Sequence, residues 1–173
     1  MKFNDPQHAL GWAYETCSRP IVKISSVNAM RGTDGAGEGA NGELTAYDRH
    51  AQAALILGLC ERILPALHMA YISVQFGREA GGFDLLVRHL NANFGTGMHS
   101  RRGTEQIIRS YCGEKSGLRE LRKSMACGML KAASLRNRGY DALDMIHNQA
   151  MAILQKEMES RDLLWSPMIG EMA

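Results

Sequence analysis

The stretch that decides the fold comprises residues 128–154 and reads GMLKAASLRNRGYDALDMIHNQAMAIL. Small and apolar residues recur at helical spacing within 129–135, and a second apolar stripe with the same period follows. This second stripe consists of Leu143, Ile146, Ala150, Ile153 and Leu154. The residues between the two parts, 136–139, are polar and end in Gly139, which tolerates a positive φ. The pattern therefore predicts two helices joined by a short turn, a helix-turn-helix.

On this prediction, the turn and the start of the second helix carry side chains suited to contacting base edges in the major groove of DNA. The candidate base-contacting residues are Arg136, Asn137, Arg138, Tyr140 and Asn148. Basic residues upstream are candidates for phosphate contacts, which position a protein on DNA without specifying a sequence. They are Arg101, Arg102, Arg119, Arg122, Lys123 and Lys131. Two acidic residues among the exposed positions, Asp141 and Asp144, count against this interpretation.

The basic residues are concentrated in one part of the chain. Residues 101–138 contain ten lysines and arginines but three glutamates, a net charge of +7 in a protein whose total is +2, so the remainder carries −5. Such segregation is expected of a surface that faces a polyanion. A solvated helical face is the alternative explanation, and the coincidence with a possible recognition motif favours nucleic acid.

The rest of the chain is also expected to be helical. Pro6 and Thr45 are well placed to begin two helices, and Pro65 must interrupt the longest apolar pattern. The predicted helices are 6–17, 44–64, 66–76, 83–94, 105–112 with Thr104 as its cap, and 118–127. Residues 21–27 alternate like an extended segment, whereas 31–43 contain five glycines and predict a flexible loop.

We therefore predict an all-α protein, an orthogonal multi-helix bundle that contains a C-terminal helix-turn-helix. The predicted organisation is an N-terminal helix and extended segment (1–30), a glycine-rich loop (31–43), a helical scaffold (44–98), a basic helix-turn-helix region (99–163) and a tail (164–173). The 11 methionines suit the filling of irregular helix–helix contacts.

Several functional classes lack support in the sequence. We expect no secretory signal and no membrane helix, and the four cysteines are too widely spaced for a zinc site or a disulfide framework. We interpret them as reduced, mostly buried thiols of a cytoplasmic protein. The glycine-rich run lacks the spacing of a phosphate-binding loop, and the scattered histidines predict no metal site. No cofactor and no enzymatic activity are predicted.

The stretch around residue 140 resembles the helix-turn-helix of region 4 of sigma factors. In that class a small residue is followed about eighteen positions later by an alanine in the recognition helix, here Ala132 and Ala150. The wider layout resembles phage antitermination Q-type regulators, with Trp12 in a first helix and Asp48 near the start of another. Gly139 departs from the Ser or Thr cap that the sigma class usually has. The resemblance implies a prophage-type transcription regulator with duplex DNA as its partner and a possible contact with RNA polymerase.

Two other functions stay open from the sequence. Met145, Met151 and Met158 recur at gaps of six and seven residues, which suits the seam of a homodimer or of a helical interaction module. An enzyme acting on nucleic acid is compatible with the basic region but has no motif of its own.

Overall fold

The computed structural model describes residues 2–19, 45–94 and 100–165. Within them the chain forms seven α-helices and one 3₁₀ turn (Ala80–Gly82). The helices are α1 (Pro6–Ser18), α2 (Ala46–Ile63), α3 (Ala66–Gln75), α4 (Phe83–Phe94), α5 (Arg101–Tyr111), α6 (Leu118–Ser124) and α7 (Met129–Ser160). The all-α prediction is confirmed for these residues. The predicted extended segment at 21–27 and the glycine-rich loop at 31–43 lie outside them.

The described residues divide into two compact units. One contains the residues up to Arg62 together with those from Met158 onward. In this unit Phe3 is buried, packs against Trp12 with ring centroids 5.3 Å apart, and forms an isolated parallel bridge with Leu164. Thr45 begins α2 as predicted, because its hydroxyl accepts a hydrogen bond from the Asp48 amide at 3.2 Å.

The second unit comprises Ile63–Glu157 and holds the predicted basic region. Pro65 separates α2 from α3, since proline cannot continue the hydrogen-bonding pattern of a helix interior. Helices α3 and α4, α4 and α5, and α5 and α6 pack against one another in sequence order. The apolar face of α4 is buried as its periodicity predicts, through Leu86, Val87, Leu90 and Phe94.

Helix α5 begins four residues earlier than the sequence suggests. Its cap is Ser100, whose hydroxyl accepts from the Gly103 amide at 3.1 Å and donates to the Ser124 carbonyl at 2.6 Å. Thr104, the predicted cap, is instead buried inside the helix and donates to Asn91 Oδ1 at 2.7 Å. Arg101 and Arg102 therefore lie in the first turn of α5 and not in a basic loop.

Helix α7 is continuous over 32 residues, so the predicted turn at 136–139 is wrong. Its buried residues are Ala132, Leu135, Gly139, Leu143, Ile146, Ala150, Leu154 and Met158. Successive members are separated by three or four residues, which keeps them on one side of a single helix. Gly139 is not a turn residue but a close-packing position, because a Cβ there would lie 2.6 Å from Ile107 Cγ2.

Candidate nucleic-acid interface

A short connection between two helices does occur in the basic region, but it lies eleven residues upstream of the predicted turn. Helix α6 is joined to α7 by residues 125–128. The Ala126 amide donates to the Lys123 carbonyl and the Cys127 amide to the Arg122 carbonyl, both at 3.3 Å. This pair of bonds closes the end of a helix as a Schellman motif, with Ala126 in the left-handed conformation at φ +48°.

Apolar contacts hold the turn at residues 125–128 in place. Leu121 on α6 and Met125 in the turn are both buried. A Cβ at Gly103 would lie 2.6 Å from Met125 Sδ, so the turn packs closely on the first part of α5. Met125 therefore links the first part of α5 to the turn that follows α6.

Five of the six predicted phosphate contacts are exposed and, within the described residues, have no ion pair or hydrogen bond from their side chains. We refer to them as the cationic set, which consists of Arg102, Arg119, Arg122, Lys123 and Lys131. They lie at the start of α5, along α6 and in the first turn of α7. The sixth, Arg101, is committed within the fold, because it pairs with Asp84 at 2.6 Å and Glu105 at 2.8 Å.

A polar groove of about 600 Å³ runs between α5 and α6, and Arg102, Arg109 and Lys123 are among its lining residues. Its floor is a hydrogen-bonded network in which Gln106 donates to Ser116 Oγ at 2.7 Å and accepts from Ser124 Oγ at 3.0 Å. Glu105 and Glu120 also line the groove and offset part of the positive charge. These hydrogen bonds link α5 to α6 and to the segment before α6.

The first turns of α7 present an exposed face without acidic side chains. Leu130, Lys131, Ser134 and Asn137 are all exposed, and Leu130 is 90% exposed, the highest value among the exposed large hydrophobic residues. Their spacing of three and four residues places Leu130, Ser134 and Asn137 along one side of the helix. The next exposed residue on this side is acidic, Asp141, so the face extends from Leu130 to Asn137, about 10.5 Å of helix length.

Three of the predicted base-contacting residues are engaged within the protein. Arg138 donates to the Asn93 carbonyl, and the Tyr140 hydroxyl is 2.8 Å from Ser110 Oγ. Arg136 is half-buried, with its guanidinium 6.0 Å from the centre of the Tyr140 ring. All three lie within α7 and not in a turn, because the buried stripe of this helix passes through Gly139 without a change of phase.

Asn137 and Asn148 are exposed, as a base-contacting role requires, but the helix keeps them well apart. They are eleven residues apart in one helix, a separation of about 16 Å at 1.5 Å per residue. Asn137 belongs to the exposed face at the start of α7, whereas Asn148 lies beyond the acidic positions 141 and 144. The structure does not bring the two asparagines together.

The centre of α7 is held by a cluster of aromatic and polar side chains. The Tyr111 hydroxyl donates to Asp144 Oδ1 at 2.6 Å, and the Tyr71 hydroxyl is 3.2 Å from His147 Nδ1. Burial, followed by the contact with Asp144, raises the pKa of Tyr111 to about 12. Burial also raises the pKa of Tyr71 above its ordinary value. Asp144, which the sequence left without a role, therefore serves the packing of α7 against α3 and α5.

The methionines proposed as a dimer seam do not share one surface. Met158 is fully buried, whereas Met145 is 63% exposed and Met151 is half-buried. At 3.6 residues per turn, Met145 lies about 120° around the helix axis from Met151, and Met158 is buried in the fold. The three methionines therefore do not form one exposed stripe, and self-association through α7 stays a prediction.

The cysteines vary in exposure. Cys60 is buried, Cys112 and Cys127 are half-buried, and Cys17 is exposed, so the prediction of mostly buried thiols fails for Cys17. Burial raises the pKa of Cys60 and of Cys112 to about 11, which makes both poor nucleophiles at neutral pH. Among the described residues no three His, Cys, Asp or Glu side chains are grouped in a way that could hold a metal ion.

Sequence reasoning missed Leu130 and Ser134 as members of the exposed face. The signal was present, because both fall opposite the buried stripe that contains Ala132, Leu135 and Gly139. No described helix combines the length and apolar character needed to cross a membrane. The sequence matches no protein-family model, and comparison with curated proteins finds no significant relative.

Proposed function

We propose that the protein is a DNA-binding regulator that docks the α6–turn–α7 unit on duplex DNA, with α7 as the helix that enters the major groove. The observation that supports this most strongly is the cationic set, five exposed basic side chains without a described ion pair on α5, α6 and the first turn of α7. Phosphate contacts of this kind supply most of the affinity of non-specific DNA binding.

The proposed docking uses the start of α7. This end has no acidic residue in its first turn, and its first backbone amides are free of intrahelical partners, as at every helix N-terminus. Free amides and the positive end of the helix dipole favour a phosphate group. Lys131 adds a full positive charge at the same end, while Arg119, Arg122 and Lys123 extend the contact along α6.

The size of the exposed face fits the proposal. The exposed face from Leu130 to Asn137 is about 10.5 Å long, which is comparable to the roughly 12 Å width of the major groove. Arg136 and Arg138 are assigned to the fold and not to the DNA, because the first is half-buried and the second bonds the Asn93 carbonyl. A prophage-type role and a contact with RNA polymerase remain proposals that rest on the resemblance of the sequence alone.

The proposal is tested by measuring the affinity for a labelled duplex at several salt concentrations, by fluorescence anisotropy. If all five members of the cationic set contact phosphates, log affinity against log salt concentration has a slope of about −4 to −5. Lys131→Ala should lower the affinity and make this slope shallower by about 0.9. Binding that is absent, or that does not depend on salt, would contradict the proposal.

Lys156→Ala is the matched control for Lys131→Ala. Both lysines are exposed on α7, but they are separated by about 38 Å along the helix. The two variants change the net charge equally, so a general electrostatic effect would weaken binding equally. We expect Lys156→Ala to leave the slope unchanged, and an equal loss in both variants would argue against docking through the start of α7.

A further inference from the structure

The start of α7 carries an apolar group that charge alone does not explain. Leu130 is 90% exposed, and the neighbouring Met129 is 40% exposed. Lys131 follows directly, and the next members of the same face, Ser134 and Asn137, are polar but uncharged. A leucine held out in solvent at the tip of a helix-turn-helix contributes nothing to the core, whereas the same residue on DNA would remove apolar surface from water.

The chemistry of the major groove narrows what a leucine can contact there. Thymine is the one base whose edge presents a methyl group, while the other edges present hydrogen-bonding groups. Leucine has no polar atom, so placing it against those edges would remove water from them without replacing its hydrogen bonds. Against a thymine methyl, the same side chain gains apolar contact at no such cost.

We propose that Leu130 is a specificity-determining residue that contacts the 5-methyl group of a thymine in the major groove. The inference rests on the proposed DNA-binding function. It adds the chemical group on the base that the protein would recognise, the thymine methyl. Charge complementarity favours DNA over a protein partner, because Lys131 follows Leu130 directly, the preceding helix α6 carries three further members of the cationic set, and the first turn of α7 has no acidic residue.

The experiment uses the full-length chain and a pool of duplexes with a randomised central segment. Duplexes enriched by the wild-type protein are resynthesised with each thymine replaced in turn by deoxyuridine, which lacks only the methyl group. We expect one replacement to weaken wild-type binding about fourfold, the value of one buried methyl-sized group. Leu130→Ala should bind the thymine and deoxyuridine duplexes equally well.

Leu55→Ala is the matched control, since Leu55 is also a strongly exposed leucine on a helix, at 70% exposure, but lies outside the α6–turn–α7 unit. It should retain the wild-type preference for thymine. Because Leu130 makes little contact with the fold and alanine favours helices, Leu130→Ala should fold normally, which circular dichroism checks.

The outcomes separate the two proposals. Salt-sensitive binding in which no deoxyuridine replacement matters, or matters equally for Leu130→Ala, would overturn the thymine contact and leave DNA binding intact. Absence of any salt-sensitive binding would overturn both. Sedimentation of the free proteins adds one more test, since a dimer formed by the wild type and lost in Leu130→Ala would assign the leucine to self-association instead.

Discussion

The first turns of α7, residues 129–135, and its central turns, residues 136–147, both carry basic side chains, but these side chains have opposite surroundings. At the start of the helix, Leu130 and Lys131 extend into solvent. In the centre, Arg138 bonds the Asn93 carbonyl and Tyr140 lies 2.8 Å from Ser110. The comparison shows that arginines close together in the sequence do not by themselves form an exposed surface, because the neighbouring helices determine which basic side chains remain free.

Gly128 and Gly139 differ in the same way, one being open to solvent and the other packed. Gly128 stands at the true turn and its carbonyl accepts the first helical hydrogen bond, from the Ala132 amide at 2.9 Å. Gly139 lies in the middle of the helix and is buried. A Cβ added at Gly128 would meet nothing within 4 Å, whereas one at Gly139 would lie 2.6 Å from Ile107 Cγ2 and 3.4 Å from Phe94 Cζ. One glycine ends a connection, and the other permits close packing.

The largest expected effects come from breaking the packed centre of α7, where Gly139 meets Ile107. Gly139→Val should lower the free energy of unfolding by about 3 kcal/mol, because the new side chain overlaps Ile107 and cannot be accommodated without backbone movement. Gly128→Val should cost about 1 kcal/mol, for the poorer helix cap alone. Urea denaturation followed by circular dichroism measures both. Equal losses would mean that Gly139 has no special packing role.

A double-variant cycle tests whether Ile107 is the group that excludes a side chain at 139. Ile107 is 1% exposed, so Ile107→Ala alone should cost about 2–5 kcal/mol. It also opens the space that the valine needs. The combined loss in Gly139→Val with Ile107→Ala should therefore fall below the sum of the single losses by about 1 kcal/mol or more. Additive losses would place the clash elsewhere.

The sequence contained enough information to predict a continuous α7. The buried positions from Ala132 to Leu154 keep one phase across Gly139. The spacing of eighteen residues between Ala132 and Ala150 equals five turns of a single helix, which puts both on the same side. The prediction of a turn gave more weight to Gly139 and its polar neighbours than to this periodicity. A glycine inside a helix costs only about 1 kcal/mol relative to alanine.

Other features depended on contacts that no local pattern contains. Ser100 and Thr104 are both suitable helix caps, and the choice between them is made by tertiary contacts to the Ser124 carbonyl and to Asn91. The α2 boundaries and the apolar face of α4 were predictable, because strong caps and a one-sided stripe are local properties. The side of α7 on which Leu130 lies was predictable from the buried stripe, but its 90% exposure also depends on which elements do not cover the start of the helix.

A smaller effect is expected at the hydrogen bond that fixes the central turns. Tyr111→Phe removes the 2.6 Å bond to Asp144 and should lower the free energy of unfolding by about 1–2 kcal/mol at neutral pH. Tyr47→Phe is the control, because Tyr47 is 60% exposed and should tolerate loss of its hydroxyl. If both variants lower the free energy of unfolding equally in urea denaturation, the bond to Asp144 does not contribute to the packing of α7.

The burial of Tyr111, together with its hydrogen bond to Asp144, predicts how stability changes in alkali. The pKa of Tyr111 is about 12 in the folded chain, above its unfolded value of about 10. Its contribution to stability is therefore complete below pH 10 and is lost as the pH rises from about 10 to 12. Tyr111→Phe should make the alkaline loss of stability less steep than in the wild type, and an unchanged pH profile would argue against the raised pKa.

The smallest expected effect sharpens the comparison at the exposed end, in the turn before α7. Ala126 has φ +48°, a conformation that favours glycine, and Ala126→Gly should raise the free energy of unfolding by about 0.5–1 kcal/mol. Gly113 occupies the equivalent position after α5, with φ +92° and open space for a Cβ, so Gly113→Ala should lower it by about 1 kcal/mol through backbone strain alone. Urea denaturation measures both changes, and effects of the same sign would contradict the assignment of two matched helix ends.

Because Ala126→Gly leaves the cationic set and Leu130 unchanged, the affinity of this variant for duplex DNA should equal that of the wild type.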